Sequence, residues 1–328
     1  MYPMNIARTL RLIAQSCLQI KAGDKVIILG YTEEDQRVAA ALAAEAHTVG
    51  AEAGVVLVPP PPPGVIEPPA FVAAAMMASN LVVTLGLVDF GHSQARKQAT
   101  AAGVSYAYIP DLMNDELTEL ATSSDDLEAV RERTVAMAEL VTNAKTAHIT
   151  TTSGTDLTIP IEGRPGLPLH PVFEKPGHFA IVPFYAEVAC APLENAAYGV
   201  AVADGTVVGM PGFNGVLTEA IRFVFEKGRV VNIEGGRTAA KLEAALKDAG
   251  ENADSLAEMG LGSNHRMRDI LVGNRRDNGI FGHVHFALGR NVDLGGKQMS
   301  PIHTDFLICD ASLELDGRII MEHRQLMV

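Results

Sequence analysis

The sequence contains no tryptophan, and aromatic residues fill only 5% of its 328 positions. Stacking sites are built from aromatic faces, so this scarcity argues against a large platform for a planar ring. Cysteine is equally thin. Cys17, Cys190 and Cys309 are odd in number and far apart, which argues against a disulfide framework and a cysteine-only zinc site and fits a reducing cytoplasm. No apolar run reaches the roughly 18 residues that would suggest a membrane span. Arg8 and Arg11 interrupt the N-terminal apolar stretch, which reads as an amphipathic helix and not as a secretion leader. Positive charge is also short, with 26 Lys and Arg against 39 Asp and Glu and a net charge of −13. Such a surface repels nucleic acid and anionic membranes. It leaves a small molecule, a short peptide or a metal cation as the expected partner.

Apolar residues make up 48% of the chain and charged residues 20%, enough for a sizeable core. The pattern predicts an α/β fold in two parts. Residues 1–145 alternate helix and strand, with strands at Lys25–Leu29, Ala53–Val58, Leu81–Leu85 and Val104–Ile109 and helices between them. That order implies βαβ units and a parallel sheet, as a scaffold or cap domain. Pro59 to Pro63 form a stiff loop after the second strand. No phosphate-cradling motif follows the first strand. Residues 146–328 read as a mainly β, α+β metal-binding domain, with strands that include 179–183, 281–288 and 302–308 and helices at 215–225 and 237–249.

The strongest chemical signal is Pro301-Ile302-His303-Thr304-Asp305-Phe306. Side chains alternate across a strand, so His303 and Asp305 share a face and could hold one divalent cation together. His283-Val284-His285 repeats this spacing on what reads as the neighbouring strand, across a glycine-rich loop from Gly289 to Lys297. Glu258 stands alone in an apolar, glycine-rich turn, and Glu187 in a second apolar stretch. A lone carboxylate is expensive to bury, which favours a cation nearby. His265 beside the Glu258 turn is a candidate for a supporting or substrate role. The isolated His47, His92, His148, His170, His178 and His323 read as structural or solvated.

At these residues the chain resembles the thermophilic aminopeptidase family of metallopeptidases, the aminopeptidase T and aminopeptidase S group. The resemblance rests on AEVACAPLENAAYG (186–199), G-x-V-x-N-I-x-G-G (228–236), AEMGLGSN (257–264), HFALG (285–289) and PIHTDFLICDASLELDG (301–317). It implies that Glu187, Glu258, His285, His303 and Asp305 bind a two-metal centre of zinc, manganese or cobalt that activates water. It also implies a homodimer. Two departures stand out. The family's acid five residues before the HxALG histidine is Ile280 here, with Asp277 three residues earlier, and its tyrosine after HxALG is replaced by Arg290 and Asn291.

A second branch of the superfamily, 2,5-dihydroxypyridine 5,6-dioxygenase, is similar in length and shares the G-G-K…H-x-D segment, here Gly295 to Asp305. Its iron is held by two histidines and a carboxylate. The first of those histidines falls on Glu258, and His283 could replace it. The leading expectation is a metal-dependent hydrolase cleaving an amide or peptide bond, with Glu187 or Glu258 as bridge or base. In that reading Arg266 or Arg290 would hold a substrate carboxylate. The alternatives are a non-haem Fe(II) dioxygenase opening a hydroxylated pyridine or aromatic ring, and a protein that binds metal or a small molecule without turnover.

Overall fold

A computed structural model describes residues 4–33, 36–62, 65–86, 88, 90–91, 93–110, 124–210, 213–267, 269–322 and 324–327. His92, His323 and Pro63 lie outside them. The chain forms two compact units, residues 1–131 with 170–185, and residues 132–169 with 186–328.

The first unit carries helices α1 (Met4–Leu12), α2 (Arg37–Thr48), α3 (Ala70–Met77) and α4 (Gln94–Ala101). Its strands are β1 (Lys25–Tyr31), β2 (Glu52–Val58), β3 (Leu81–Leu85) and β4 (Ser105–Ile109). Helix α5 (Ser124–Asn143) runs from the first unit into the second. The second unit begins with β5 (Thr146–Thr150), β6 (Asp156–Pro160) and β7 (Leu167–Leu169). Strand β8 (Phe179–Ile181) returns to the first unit. The rest are β9 (Glu187–Cys190), β10 (Tyr198–Ala203), β11 (Thr206–Met210), β12 (Phe213–Val216), β13 (Ile221–Glu226) and β14 (Arg229–Glu234), then helix α6 (Gly236–Ala249). After it come β15 (Leu256–Gly262), β16 (Val284–Gly289), β17 (His303–Ile308), β18 (Ser312–Leu315), β19 (Arg318–Glu322) and β20 (Gln325–Leu326).

The first unit is a parallel sheet in the order β2-β1-β3-β4-β8. Its central strands β1 and β3 are near-continuously apolar because both of their faces are covered. Val26 and Ile28 of β1 join a core with Leu10, Ile13, Val38 and Leu42. Ile27 and Leu29 join a second core with Val72, Met76 and Ala99. Strand β8 was expected among the later strands, but it pairs in parallel with Tyr106–Tyr108 of β4 and closes the first sheet.

The second unit contains two largely antiparallel sheets, ordered β14-β13-β10-β6-β5-β18-β19-β20 and β12-β11-β17-β16-β15-β9-β7. They share one apolar core. Phe223 and Phe225 of the eight-stranded sheet meet Phe286 and Phe306 of the seven-stranded one, with ring centroids 4.9–5.6 Å apart. The expected helix over 215–225 is instead the ends of β12 and β13. Ile221, Phe223 and Phe225 point into the core while Arg222 and Val224 are half-buried, a period of two that overrides the helical reading.

Candidate metal centre

Four adjacent strands, β9, β15, β16 and β17, build the site. Alternation sends Val188, Met259, Leu261, Val284, Phe286, Leu288, Phe306 and Ile308 into the apolar core. The intervening residues Glu187, Glu258, His285, His303 and Asp305 therefore occupy the opposite face. Glu258 was expected in a turn and instead lies on a fully buried strand, which fixes its direction. Asp305 and Glu258 each sit beside Ala287 of β16 in the register, and His285 sits beside Gly260. These small neighbours leave room for the carboxylates and the ring. A Cβ on Gly260 would stand 1.9 Å from Cε1 of His285, so the imidazole lies directly over a position only glycine can fill.

The five side chains form one connected cluster. His303 Nε2 is 3.0 Å from Glu258 Oε2 and 3.2 Å from Asp305 Oδ1. His285 Nε2 is 3.6 Å from Glu258 Oε1 and 3.5 Å from Glu187 Oε2. Among the described residues, two trios have the spacing to hold a metal ion: Glu187, Glu258 and His285, and Glu258, His303 and Asp305. All but His303 are buried.

The electrostatics follow from three carboxylates in a dry place. Burial works to raise the Glu258 carboxyl, but the His285 and His303 imidazoles outweigh it and hold it below its ordinary value. Burial likewise opposes Asp305 ionisation, and the imidazoles of His303 and His285 with the Arg275 guanidinium hold it well below the carboxylate range. Burial should strip the proton from His285, yet Glu187 and Glu258 push its pKa up to about 9. His303 is raised well above its ordinary value, Asp305 and Glu258 overcoming burial. The cluster thus stabilises positive charge at its centre, whether as protons on the imidazoles or as a cation that displaces them.

A divalent metal fits these residues. Asp305 Oδ1 is buried and has no hydrogen bond of good geometry. His303 Nδ1 donates to the Arg290 carbonyl at 2.7 Å, which leaves Nε2 as the ring's available donor atom. Imidazole with carboxylate oxygen is a donor set for first-row divalent ions.

Four expected participants lie elsewhere. His283 precedes β16 and follows Gly282, whose φ of +90° turns the chain. Its Nε2 donates to Asp269 at 2.9 Å, and its Nδ1 accepts from the Asp310 amide at 3.4 Å. Asp277 is buried within the 3-10 turn Arg275–Gly279 and accepts bonds from Thr206 Oγ1 at 2.6 Å, the Val272 amide at 3.0 Å and the Gly273 amide at 2.8 Å. It anchors a turn and is absent from both trios. His265 and Arg266 are exposed and belong to neither trio. Sequence reasoning missed Asn278, whose Nδ2 donates to Asp305 Oδ2 at 2.9 Å. An asparagine in Arg-Arg-Asp-Asn-Gly looks like turn chemistry and carries no other signal.

The α/β framework that carries this buried cluster of imidazoles and carboxylates has the fold of two solved structures. Its fold matches the solved structure of 2,5-dihydroxypyridine dioxygenase from Pseudomonas putida KT2440, with a TM-score of 0.81 and 18% identity over 99% of this chain and 98% of that one. It also matches AmpT from Thermus thermophilus, with a TM-score of 0.73 and 18% identity over 99% of each chain. The family model NicX, 2,5-dihydroxypyridine 5,6-dioxygenase, matches residues 9–328, and the chain belongs to that family. The curated 2,5-dihydroxypyridine 5,6-dioxygenase of Pseudomonas putida KT2440 is 24% identical over 253 residues, 74% of this chain and 70% of that protein.

This membership overturns the expectation of an amide-cleaving hydrolase. The two departures from the aminopeptidase pattern, Ile280 and Arg290-Asn291, point the same way. No helix among the described residues is long and apolar enough to cross a membrane, and the three cysteines are free.

Proposed function

We propose that this chain is a metal-dependent dioxygenase that opens a hydroxylated pyridine ring, with non-haem Fe(II) as its metal. The observation that carries the reading is the Glu258–His303–Asp305 trio, with both carboxylates buried, on a chain of the 2,5-dihydroxypyridine 5,6-dioxygenase family. Those three residues would hold the metal. When bound, Fe(II) would activate O₂ and bind the oxygen substituents of the ring.

The chain's own residues set the conditions. Arg290 orients His303 through the Nδ1 hydrogen bond, so the imidazole presents Nε2 to the cluster. Glu258 and Asp305 stay ionised against the cost of burial. Each trio has one imidazole and two carboxylates, so the ligand field is richer in anionic oxygen than two histidines and one carboxylate. His285 and Glu187 flank Glu258 on its other side, and their proton-holding pair can accept or return a proton at Glu258 Oε1. Burial keeps bulk water from this exchange. A small-molecule substrate remains the partner this site calls for, and the acidic surface gives no reason to expect nucleic acid.

The test is anaerobic reconstitution with Fe(II), Mn(II) or Zn(II), followed by O₂-electrode measurements with 2,5-dihydroxypyridine. Iron-loaded protein should consume O₂ with loss of the ring's ultraviolet absorption, and zinc-loaded protein should not. Equal inertness of every metallated form towards dihydroxylated pyridines would reject the reading.

A further inference from the structure

We propose that Asn278 is a positioning residue that determines which oxygen of Asp305 is presented to the metal, an inference that rests on the metal-dependent reading of the site. Asn278 is fully buried, and its Nδ2 donates to Asp305 Oδ2 at 2.9 Å. That bond occupies one carboxylate oxygen and leaves Oδ1, the atom 3.2 Å from His303 Nε2, facing the cluster. Oδ1 is the buried Asp305 atom that lacks a hydrogen bond.

The other end of the amide makes the residue's purpose clear. Asn278 Oδ1 is buried with no hydrogen-bond partner. An unmet acceptor in a dry interior is destabilising, and an apolar side chain of similar size would avoid that cost. The residue is therefore poorly explained as a stabilising element, while its donor is aimed at a carboxylate of the metal trio.

Asn278 is held in place by its neighbour. Asp277 ties the turn to β11 through Thr206 Oγ1 and to the preceding loop through the amides of Val272 and Gly273. Strand β11 pairs with β17, with Val208 opposite Asp305. The path Thr206–Asp277–Asn278–Asp305 thus leaves one strand and returns to its hydrogen-bonded neighbour, which fixes the amide against the carboxylate. Gly262 belongs to the same arrangement, because a Cβ there would strike the carbonyl oxygens of Ile280 at 2.1 Å and Asn278 at 2.8 Å. Orienting a ligating carboxylate by an outer hydrogen bond typically changes metal affinity by about 10–100-fold.

The test uses Co(II) as a spectroscopic probe on the full-length protein, with N278A, N278D and T206V. Affinity and the visible ligand-field spectrum are read by titration, and folding is read as the melting transition in chelator. N278A should melt as a folded protein, bind Co(II) about 10–100-fold more weakly and show an altered spectrum. N278D, nearly isosteric, places a second carboxylate against Asp305 and should shift the spectrum again. T206V, which loosens the anchor without touching the cluster, should show a smaller loss of affinity. N278A and N278D with wild-type affinity and spectrum would overturn the inference while leaving the metal site standing. So would losses that merely follow the unfolded fraction. Wild-type protein that takes up no Co(II) would overturn the metal reading and this inference with it.

Discussion

The two faces of the seven-stranded sheet are made from the same strands and differ only in which alternate residues point there. On one face Met259, Phe286, Leu288 and Phe306 join the apolar core, where Phe286 and Phe306 meet Phe223 of the opposite sheet. On the other, one residue away in sequence, stand Glu258, His285, His303 and Asp305. The first face contributes stability by removing apolar surface from water. The second spends stability, since three buried carboxylates are tolerated only with compensating positive charge. A rigid apolar face is what allows the charged one to be held in fixed geometry.

The sharpest way to separate the two faces is to damage the apolar one. Phe286→Ala removes a ring that contacts Phe223, Phe225 and Phe306. It should cost about 3–5 kcal/mol of stability, read as a fall in Tm or in the denaturant midpoint. Metal bound per folded chain should be unchanged.

Damage to the charged face should do the reverse. Asp305→Ala or His303→Ala should lower metal affinity by at least the ~100-fold that loss of an outer partner can reach. Asp305→Ala removes one buried carboxylate and should retain its melting transition in chelator, whereas His303→Ala removes a compensating imidazole beside Glu258 and Asp305 and should melt lower. Normal metal content in both variants, measured by elemental analysis, would sink the assignment of these residues.

A smaller effect should come from Gly260→Ala, where the new Cβ needs the space His285 occupies. The ring must move, so Glu258 loses one of its two imidazole neighbours. Metal affinity should fall less than in the Asp305 variant, with the fold kept. Unchanged binding would show that His285 lies outside the metal's influence.

The smallest effect is a control in the first unit. Burial, with help from His170, depresses the His178 pKa to about 4 from an ordinary 6.5. Between those values the unfolded chain binds more protons, so stability should fall as pH drops from 6.5 through 4. His178→Gln should flatten that slope in denaturant titrations and leave metal content untouched. An unchanged slope would assign the acid sensitivity elsewhere.

The fold class and the cluster were largely legible in sequence because both depend on periodicity. Continuous apolar runs marked the parallel strands, and His303-x-Asp305 marked a face. Where periodicity was overextended, the reading failed. His283 was placed in register with His285, but the strand begins at Val284 and Gly282 turns the chain first. The helical reading of 215–225 fails because β12 and β13 are strands of different sheets, and Ile221, Phe223 and Phe225 alternate along β13. Asn278 and Gly260 act through contacts between residues distant in sequence or across strands, which no local pattern reveals. The chemistry itself was misjudged, since imidazoles and carboxylates that bind a metal serve hydrolysis and oxygenation alike.

The most direct test of the central claim is the fate of isotopically labelled oxygen. Iron-reconstituted protein should be given ¹⁸O₂ and 2,5-dihydroxypyridine, and the product examined by mass spectrometry. The account predicts an acyclic product carrying both atoms of one O₂ molecule, with none formed by Asp305→Ala. A product labelled only from water, or no O₂ consumed by the iron-loaded protein, would contradict it.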